Sequence, residues 1–276
     1  MTQKERAARF RRLHENGPLV LPNAWDAASA RVIELAGAPV IGTTSAGISW
    51  AHGRRDGHGL RRDEMIEAIR RIVEAVDVPV TADIEGGYGS GSVEDVAETV
   101  RAVVELGVVG INLEDASGDA ATPLLAPEVQ AERIRAARAA AVAAGGDLFI
   151  NARTDVYLAQ VGAPGSRLDA TIERANLYLA AGADGVFVPG VTDADTIAAL
   201  ARAIDGPLNV MWLPGAPGVQ DLGQLGVARV SVGPAVALAA LAATRQAAIE
   251  LLERGTYGAL GLGLAFGEVD AMFTRA

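Results

Sequence analysis

The chain has 276 residues, 50% of them hydrophobic, and a formal net charge of −10. This length supports one large core or two small ones, and the acidic balance argues against nucleic-acid binding, which usually leaves a basic footprint. No run of about 18 uncharged apolar residues occurs, and the charged N-terminus lacks the apolar segment of a secretion signal. We therefore expect a protein that neither crosses a membrane nor binds nucleic acid, and the absence of cysteine favours the cytoplasm.

The residue types that are missing narrow the chemistry further. Without cysteine the chain has no thiolate nucleophile, no cysteine-bound zinc and no iron–sulfur cluster. Its only lysine, Lys4, lies in the polar N-terminal segment, whereas a Schiff-base lysine needs a desolvated pocket. We therefore expect neither thiolate nor Schiff-base catalysis.

Eight short apolar runs recur along the chain, and each predicts a strand. Runs without polar alternation are typical of parallel strands that are buried on both faces. In chain order they cover residues 19–22, 40–44, 80–83, 110–114, 149–153, 185–189, 208–212 and 229–232.

Helical periodicity fills most of the intervals between these runs, as in residues 61–76, 92–106, 127–144 and 168–181. Residues 1–16 predict a short amphipathic helix ahead of the first strand. Alternating strands and helices imply an α/β protein with right-handed crossovers. A doubly wound open sheet is the main rival, but no GxGxxG fingerprint follows the first strand. We predict a (β/α)₈ TIM barrel that forms a single domain over residues 1–276.

Two helical segments, 234–254 and 256–273, follow the eighth predicted strand, where a barrel needs only one. The apolar positions of the second segment are not confined to one stripe. We therefore expect the extra C-terminal helix, residues 256–273, to pack on a neighbouring subunit.

Acidic residues stand at the predicted ends of the third and fourth strands, where TIM barrels place their active sites. They are Asp83 with Glu85, and Glu114 with Asp115. Carboxylates so close together would repel one another without a cation, and oxygen ligands suit Mg²⁺ or Mn²⁺. We predict that Asp83 contacts the metal directly and that Glu85 and Glu114 hold metal-bound waters. The alternative is that some of these acids only cap the following helices.

Other predicted strand ends supply candidates for binding an anionic substrate. The planar guanidinium of Arg153 can hold a carboxylate with two hydrogen bonds. The alternative is that it neutralises the acids as a structural ion pair. Thr44, Ser45 and the loop amides through Gly47 can hold a second carboxylate, although small residues are also common in turns. Asn209, on the seventh predicted strand, is a further candidate.

The three histidines indicate a functional site less clearly than the acidic residues and Arg153 do. His52 and His58 lie in a polar, glycine-rich loop after the second strand, and either could act as acid or base near neutral pH. A solvated loop histidine is the simpler interpretation. We expect His14, in the N-terminal segment, to lie on the surface.

Together these segments resemble the isocitrate lyase/phosphoenolpyruvate mutase superfamily over nearly the whole chain. The most specific match is TADIEGGYG followed about 30 residues later by a strand ending in LEDA. The other matching segments are LPNAWDAASARVIELAG, GTTSAGIS followed by GRRDG, GINLEDA, INARTDVYL and PLNVMWLPGAPG.

The resemblance implies a barrel whose last helix is exchanged between subunits, usually in homodimers or homotetramers. It also implies direct Mg²⁺ contact by Asp83, with Asp56, Glu85 and Glu114 acting through water or at longer range.

For the substrate, the resemblance implies that Arg153 holds the anionic end. Thr44, Ser45 and Ala46 would hold a carboxylate through hydroxyl and amide groups. Members of the family cleave or rearrange a C–C or P–C bond next to a 2-oxo or 2-hydroxy carboxylate, and Mg²⁺ with oxyanion donors stabilises an enolate such as that of pyruvate.

The loop after the fourth strand departs from the family pattern. Isocitrate and methylisocitrate lyases carry a Lys-Lys/Arg-Cys-Gly-His sequence there, with the cysteine as acid/base, and phosphonate mutases and hydrolases place a Lys and an Asn in it. Residues 116–125 read ASGDAATPLL and contain none of these. The second acid of the strand-three motif, commonly Asp, is Glu85 here. The chain therefore resembles a divergent branch.

Three functions follow as hypotheses. The leading one is a Mg²⁺-dependent C–C lyase or decarboxylase that acts on a small 2-oxo or 2-hydroxy dicarboxylate through an enolate. Arg153 and Glu114 would act in catalysis, and Tyr88 or a metal-bound water would move protons. The alternative is phosphoenolpyruvate mutase-like or carboxyphosphonate phosphorylmutase-like P–C chemistry. The last is a non-catalytic barrel that binds dicarboxylates. This hypothesis is motivated by the absence of the family's Cys, Lys, His and Asn residues from the loop at residues 116–125.

Overall fold

Nine parallel strands form a single sheet in the computed structural model of the chain, which describes residues 2–15, 17–57 and 59–274. The strands are β1 (Leu19–Leu21), β2 (Asn23–Ala24), β3 (Ile41–Thr43), β4 (Val80–Asp83), β5 (Gly110–Glu114), β6 (Phe149–Arg153), β7 (Gly185–Val188), β8 (Leu208–Met211) and β9 (Arg229–Ser231). Their order in the sheet is β1-β9-β8-β7-β6-β5-β4-β3-β2.

Pro22 divides the first predicted strand into β1 and β2. Proline has no N–H to donate, so the hydrogen-bond ladder is interrupted at this residue. β1 pairs with β9 and β2 pairs with β3, so both edges of the sheet lie on one short chain segment. The sheet is therefore a nearly closed barrel with eight strand positions, and the predicted (β/α)₈ fold is confirmed.

Helices alternate with the strands and pack on the outside of the barrel. The described residues form α1 (Gln3–Arg12), α2 (Ala27–Leu35), α3 (Ser45–Ala51), α4 (Arg62–Ala75), α5 (Val93–Glu105), α6 (Pro127–Ala143), α7 (Arg167–Ala180), α8 (Ala194–Ala203), α9 (Val219–Gln224), α10 (Ala235–Arg254) and α11 (Phe266–Ala271). Val, Ile, Leu and Ala side chains make up most of the core between the strands and the helices.

α1 closes the bottom of the barrel, at the N-terminal ends of the strands. Phe10 is buried and packs edge-on against Phe149, the first residue of β6, with ring centroids 5.4 Å apart. His14 is also buried and stacks on Phe149 at 4.4 Å. The predicted surface position of His14 is therefore wrong. The reason is that the turn after α1 continues the helical path. Phe10 and His14, four residues apart, therefore lie on the same side of the helix and face the barrel together.

Most of α10 is exposed to solvent, and little of it is buried on the barrel. Of its 20 residues only Ala237 is buried, and Leu241 and Leu252 are 53% and 84% exposed. By length and composition α10 is apolar enough to cross a membrane. The sequence criterion did not select it because Arg245 interrupts the apolar run.

The prediction of one continuous helix over residues 256–273 is wrong. The structure has a short 3₁₀ turn at Ala259–Leu262 and then the six-residue helix α11. Arg31 Nε on α2 donates to the Met272 carbonyl at 2.8 Å, so the end of this segment lies against its own chain. Each glycine in a helix costs about 1 kcal/mol relative to alanine, and this stretch contains Gly258, Gly261, Gly263 and Gly267.

Candidate active site

Four carboxylates lie at the C-terminal end of the barrel. Asp83 and Glu114 are the last residues of β4 and β5, which are neighbours in the sheet. Glu85 follows β4, and Asp56 lies in the loop between α3 and α4. The first three are buried, whereas solvent reaches the Asp56 side chain. The structure therefore places the predicted metal ligands on adjoining strand ends and loops.

These carboxylates act on one another electrostatically. Burial raises the pKa of Glu114 to about 8, Arg153 opposes the rise, and the nearby carboxylates of Asp155, Asp83 and Glu85 add to it. Partial burial and then the charge of Asp83 raise the pKa of Asp56, even though its side chain is open to solvent. Like charges disfavour ionisation in this way when negative charge is in excess.

Asp83 forms hydrogen bonds with residues at the end of β3 and the start of α3. Ser45 Oγ donates to Asp83 Oδ2 at 2.8 Å, and the amide of Asp83 donates to Thr43 Oγ1 at 2.8 Å. The amide of Glu85 contacts Asp83 Oδ1 at 3.4 Å. These contacts fix the orientation of the carboxylate that is the predicted direct metal ligand.

Arg153, the last residue of β6, lies between two acids. Its Nε and Nη2 donate to the two carboxylate oxygens of Asp155 at 2.6 and 2.8 Å, and its Nη1 is 2.8 Å from Glu114 Oε2. Burial opposes the charge of Arg153, but Glu114 and Asp155 outweigh that effect and raise its pKa. Arg153 is therefore a permanent cation at the strand ends, and here it is paired with acids.

Two further buried acids are Asp115, which was grouped with the acids at the strand ends but given no role, and Asp155, which was not predicted as a site residue. Asp115 accepts hydrogen bonds from Tyr178 Oη at 2.8 Å, Arg174 Nη1 at 3.1 Å and the Asp155 amide at 3.0 Å. Asp155 in turn holds Arg153, so the pair orients the guanidinium. The spacing of Arg153 and Asp155 was the available signal, because alternate residues of an extended chain face the same side.

The segment after β3 lies beside Asp83, and its contact with a substrate carboxylate stays a prediction. Thr44 caps α3, and its Oγ1 accepts from the Gly47 amide at 3.4 Å. Ala46 and Gly47 are buried, and a Cβ at Gly47 would lie 2.7 Å from Trp25 Cβ, so only glycine fits there. In this structure the Thr44 and Ser45 hydroxyls serve internal hydrogen bonds.

A strained turn follows β4. Glu85 and Tyr88 have φ values of 49° and 61°, a left-handed conformation that is costly for residues with a Cβ. Tyr88 is buried. Burial raises its pKa well above the ordinary value, and the charges of Glu85, Asp83, Glu114 and Asp56 add to this rise. The phenol therefore stays protonated near neutral pH, and its role in proton transfer stays a prediction.

Asn209 lies in a buried polar layer inside the barrel. It accepts a hydrogen bond from Asn151 Nδ2 at 3.0 Å and donates to the Arg229 carbonyl at 3.1 Å. Its contact with a substrate stays a prediction. His52 is exposed, and its Nδ1 lies 2.9 Å from the Ile48 carbonyl. His58 falls outside the described residues.

The donor set suits a hard cation that uses few protein ligands. Within the described ranges, no group of three or more His, Asp or Glu side chains could by itself hold a metal ion. Mg²⁺ typically keeps several waters and uses one or two carboxylates directly. Asp83 as the direct contact, with the other acids at longer range, fits that requirement. A cation would offset the repulsion that adds to the effect of burial on the pKa of Glu114.

Comparison with known proteins gives three informative matches. An uncharacterised protein of Mycobacterium tuberculosis (strain ATCC 25618 / H37Rv) is 41% identical over 240 residues, which cover 87% of each chain. An oxaloacetate decarboxylase of Bradyrhizobium sp. (strain ORS 278) is 30% identical over 245 residues, which cover 84% of this chain and 79% of the relative. A crystal structure from Burkholderia cenocepacia J2315, provisionally described as a lyase/mutase, has a TM-score of 0.92 at 40% identity and covers 99% of this chain and 97% of its own.

The family model for phosphoenolpyruvate phosphomutase matches residues 10–252, which is most of the chain. Relatives of the same superfamily are lyases, decarboxylases and phosphomutases. The predicted resemblance is therefore confirmed, and this chain belongs to the phosphoenolpyruvate phosphomutase family within the isocitrate lyase/phosphoenolpyruvate mutase superfamily.

Proposed function

We propose that this protein is a Mg²⁺-dependent C–C lyase or decarboxylase that acts on a small 2-oxo or 2-hydroxy dicarboxylate. One observation supports this most directly. Asp83 and Glu114 end neighbouring strands, and Arg153 contacts Glu114 from the next strand along. Clustered acids suit a divalent cation, and the adjoining guanidinium suits a substrate carboxylate. The similarity to an oxaloacetate decarboxylase agrees with this chemistry.

In the proposed site, Asp83 would contact the metal directly, and Asp56, Glu85 and Glu114 would act through water. Bound Mg²⁺, or Mn²⁺ in its place, would supply positive charge that stabilises an enolate oxygen. The residues of the chain provide the rest of the machinery.

Arg153 binds one substrate carboxylate. Asp155 fixes the orientation of the Arg153 guanidinium by accepting two hydrogen bonds from it. A second substrate carboxylate accepts hydrogen bonds from hydroxyl and amide groups of Thr44, Ser45, Ala46 and Gly47. Tyr88, which stays protonated, supplies the proton to the new carbanion.

Both candidate reactions pass through such a carbanion. In oxaloacetate, the C3–C4 bond breaks, carbon dioxide leaves, and the electron pair forms the pyruvate enolate, which is protonated at C3. In a 2-hydroxy dicarboxylate, the hydroxyl gives its proton to the Glu114 carboxylate, and the C2–C3 bond breaks to give a 2-oxo acid. The electron pair remains at C3, next to a carboxylate, until a proton is added there.

The proposal is tested by assaying pyruvate formation from oxaloacetate and 2-oxo acid formation from a panel of 2-hydroxy dicarboxylates. We expect turnover that needs Mg²⁺, is abolished by EDTA and falls at least about a hundredfold in Asp83→Asn, since metal-site electrostatics supply several kcal/mol. The exposed Asp205→Asn variant is the matched control and should behave as wild type. Turnover that survives in Asp83→Asn would refute the proposal.

The family model itself motivates a second candidate, P–C bond chemistry on a phosphonate such as phosphonopyruvate. Phosphorus NMR after incubation with phosphonopyruvate and Mg²⁺ decides between the candidates. Loss of the P–C signal supports the second one. If no acid or phosphonate is turned over but oxalate still binds saturably, the protein is a dicarboxylate-binding barrel.

We also propose that this chain forms a homodimer or homotetramer in which α10 packs against a second copy. Most apolar residues of α10 are exposed, and the helix buries little of its surface on its own barrel. The exchange of residues 256–273 between subunits stays a prediction. Exposed apolar patches of this kind usually mark interaction sites. A cytoplasmic location, suggested by the absence of cysteine, stays a prediction.

A further inference from the structure

Two buried polar side chains reach the strained turn after β4 from outside the barrel. Thr99 on α5 donates from Oγ1 to the Gly87 carbonyl at 2.6 Å. Arg133 on α6 donates from Nη2 to the Gly86 carbonyl. Both side chains are buried, with Thr99 0% and Arg133 2% exposed. Two helices therefore hold two consecutive carbonyls of one turn.

This turn carries two residues of the proposed site in an unfavourable backbone conformation. Glu85 and Tyr88 have positive φ, and Gly87 between them has φ 91°. A residue with a Cβ in this region costs about 1 to 3 kcal/mol and persists only where the surrounding structure imposes it. The carbonyl contacts from Thr99 and Arg133 are what the surrounding helices contribute.

Arg133 also ties the turn to the neighbouring strand end. Its Nη1 contacts the Glu114 carbonyl at 3.4 Å and Gln130 Oε1 at 2.7 Å. The amide of Glu114 donates to the Glu85 carbonyl at 3.0 Å. Arg133 thus closes a loop of hydrogen bonds that sets the backbone of Glu85 relative to that of Glu114.

The partners of Arg133 argue against a purely electrostatic role. Within residues 2–15, 17–57 and 59–274, its hydrogen bonds go to two backbone carbonyls and one amide oxygen, and it forms no ion pair. Burying a guanidinium on neutral acceptors is costly, and an apolar side chain would fill the same space. What an apolar side chain would not provide is the grip on the Gly86 carbonyl.

We infer that Thr99 and Arg133 are positioning residues that hold the turn from Glu85 to Tyr88 in its left-handed conformation and so place both side chains at the metal and substrate site. The inference extends the proposed function and rests on its assignment of Glu85 and Tyr88. Neither Thr99 nor Arg133 touches the reacting atoms in this view.

Thr99 offers a sharp test because two near-isosteric variants separate its hydroxyl from its shape. Thr99→Val keeps the branched shape and removes the hydrogen bond, whereas Thr99→Ser keeps the hydroxyl. Arg133→Met and Arg133→Lys form the corresponding pair at the second contact. Thermal unfolding identifies any variant that fails to fold, and Thr99→Val, which preserves volume, is the variant on which the test rests.

Three readouts are compared across the four variants. They are hydrogen exchange of the peptide covering residues 84–92 in the metal-free protein, Mg²⁺ affinity by calorimetry, and kcat for oxaloacetate. We expect faster exchange in Thr99→Val and Arg133→Met, with Mg²⁺ affinity and kcat lowered about tenfold or more, as for other residues that orient metal ligands. Thr99→Ser should stay within about twofold of wild type, and Arg133→Lys should recover part of the loss.

Exchange, affinity and kcat that stay near wild type in Thr99→Val would overturn the inference, as would equal losses in Thr99→Ser and Thr99→Val. If wild type binds Mg²⁺ but turns over no substrate, the proposed function fails while exchange and affinity still decide the positioning role. If wild type does not bind Mg²⁺, both fail.

Discussion

Arg153 joins the acids at the strand ends to the proposed substrate. It donates to both oxygens of Asp155 and contacts Glu114. Lysine is a point charge that cannot reproduce this planar geometry. We therefore expect Arg153→Lys to lower kcat/KM for oxaloacetate at least about a hundredfold, as misplacing a substrate-positioning group can do. Steady-state kinetics check this. A kcat/KM in the lysine variant within twofold of wild type would contradict the role of the planar guanidinium.

Arg153→Met separates the structural part of this role from the substrate contact. It leaves two buried acids without their cation, which costs about 3 to 5 kcal/mol when a buried pair is broken. The free energy of unfolding in urea measures this loss. A methionine variant as stable as wild type would show that the ion pairs contribute little to the fold.

His14 makes stability depend on pH from the opposite end of the barrel. Burial, and then the charge of Arg229, lower its pKa from 6.5 to about 4. Below pH 6.5, His14 binds a proton in the unfolded chain but stays neutral in the folded chain until the pH approaches 4. The free energy of unfolding therefore falls as the pH drops from 6.5 to about 4, and the contribution of His14 is retained above that window.

We expect this histidine to remove about 2 kcal/mol of stability between pH 7.5 and pH 5, from 1.36 kcal/mol per pKa unit. His14→Phe keeps an aromatic ring between Phe10 and Phe149 but cannot titrate. Urea unfolding at the two pH values should show a smaller loss in the variant than in wild type. Equal losses would mean that other groups carry the pH dependence.

At the scale of elements, α1 acts as the floor of the barrel. Phe10 is fully buried against Phe149. Truncating a buried phenylalanine costs about 3 to 5 kcal/mol through lost burial and the cavity left behind. We expect Phe10→Ala to lower the free energy of unfolding by that amount, while Arg12→Ala, on the exposed side of the same helix, stays near wild type. Equal effects in the two variants would contradict the packing of α1.

The elements also show which parts of the structure were predictable. β4, β5 and β6 coincide with the predicted ranges because uninterrupted buried runs define central parallel strands. The segment after Gly255 was not predictable from apolar content, since closely spaced glycines broke the expected helix into α11 and a 3₁₀ turn. Periodicity is a weak guide where backbone freedom is high.

The site was predictable in part for a related reason. The ends of parallel strands meet at one edge, so Asp83, Glu85 and Glu114 could be grouped from the sequence alone. The hydrogen bonds from Arg133 and Thr99 to the turn could not be predicted from the sequence, because they depend on how two helices pack against a loop that is distant in sequence. Contacts to backbone carbonyls leave no residue pattern to read.

For the whole molecule, the exposed face of α10 predicts self-association. A charge in an apolar contact remains buried and unpaired, which opposes association. We expect Leu241→Glu with Leu252→Glu to shift the protein towards a monomer in light scattering after size exclusion. Val142→Glu, at an apolar residue on α6 whose exposure of 67% lies between those of Leu241 and Leu252, serves as the control and should leave the assembly intact. A wild-type monomer, or assembly that resists the double change, would contradict the proposed contact.

The direct test of the metal site is a calorimetric titration of Mg²⁺ into the full chain with oxalate present. We predict one site per chain in wild type and in Asp205→Asn. In Asp83→Asn we predict affinity weakened at least about tenfold, because even residues that only orient metal ligands contribute that much to metal affinity. Absence of binding in wild type, or unchanged affinity in Asp83→Asn, would contradict the claim that the carboxylates at the strand ends form a magnesium site.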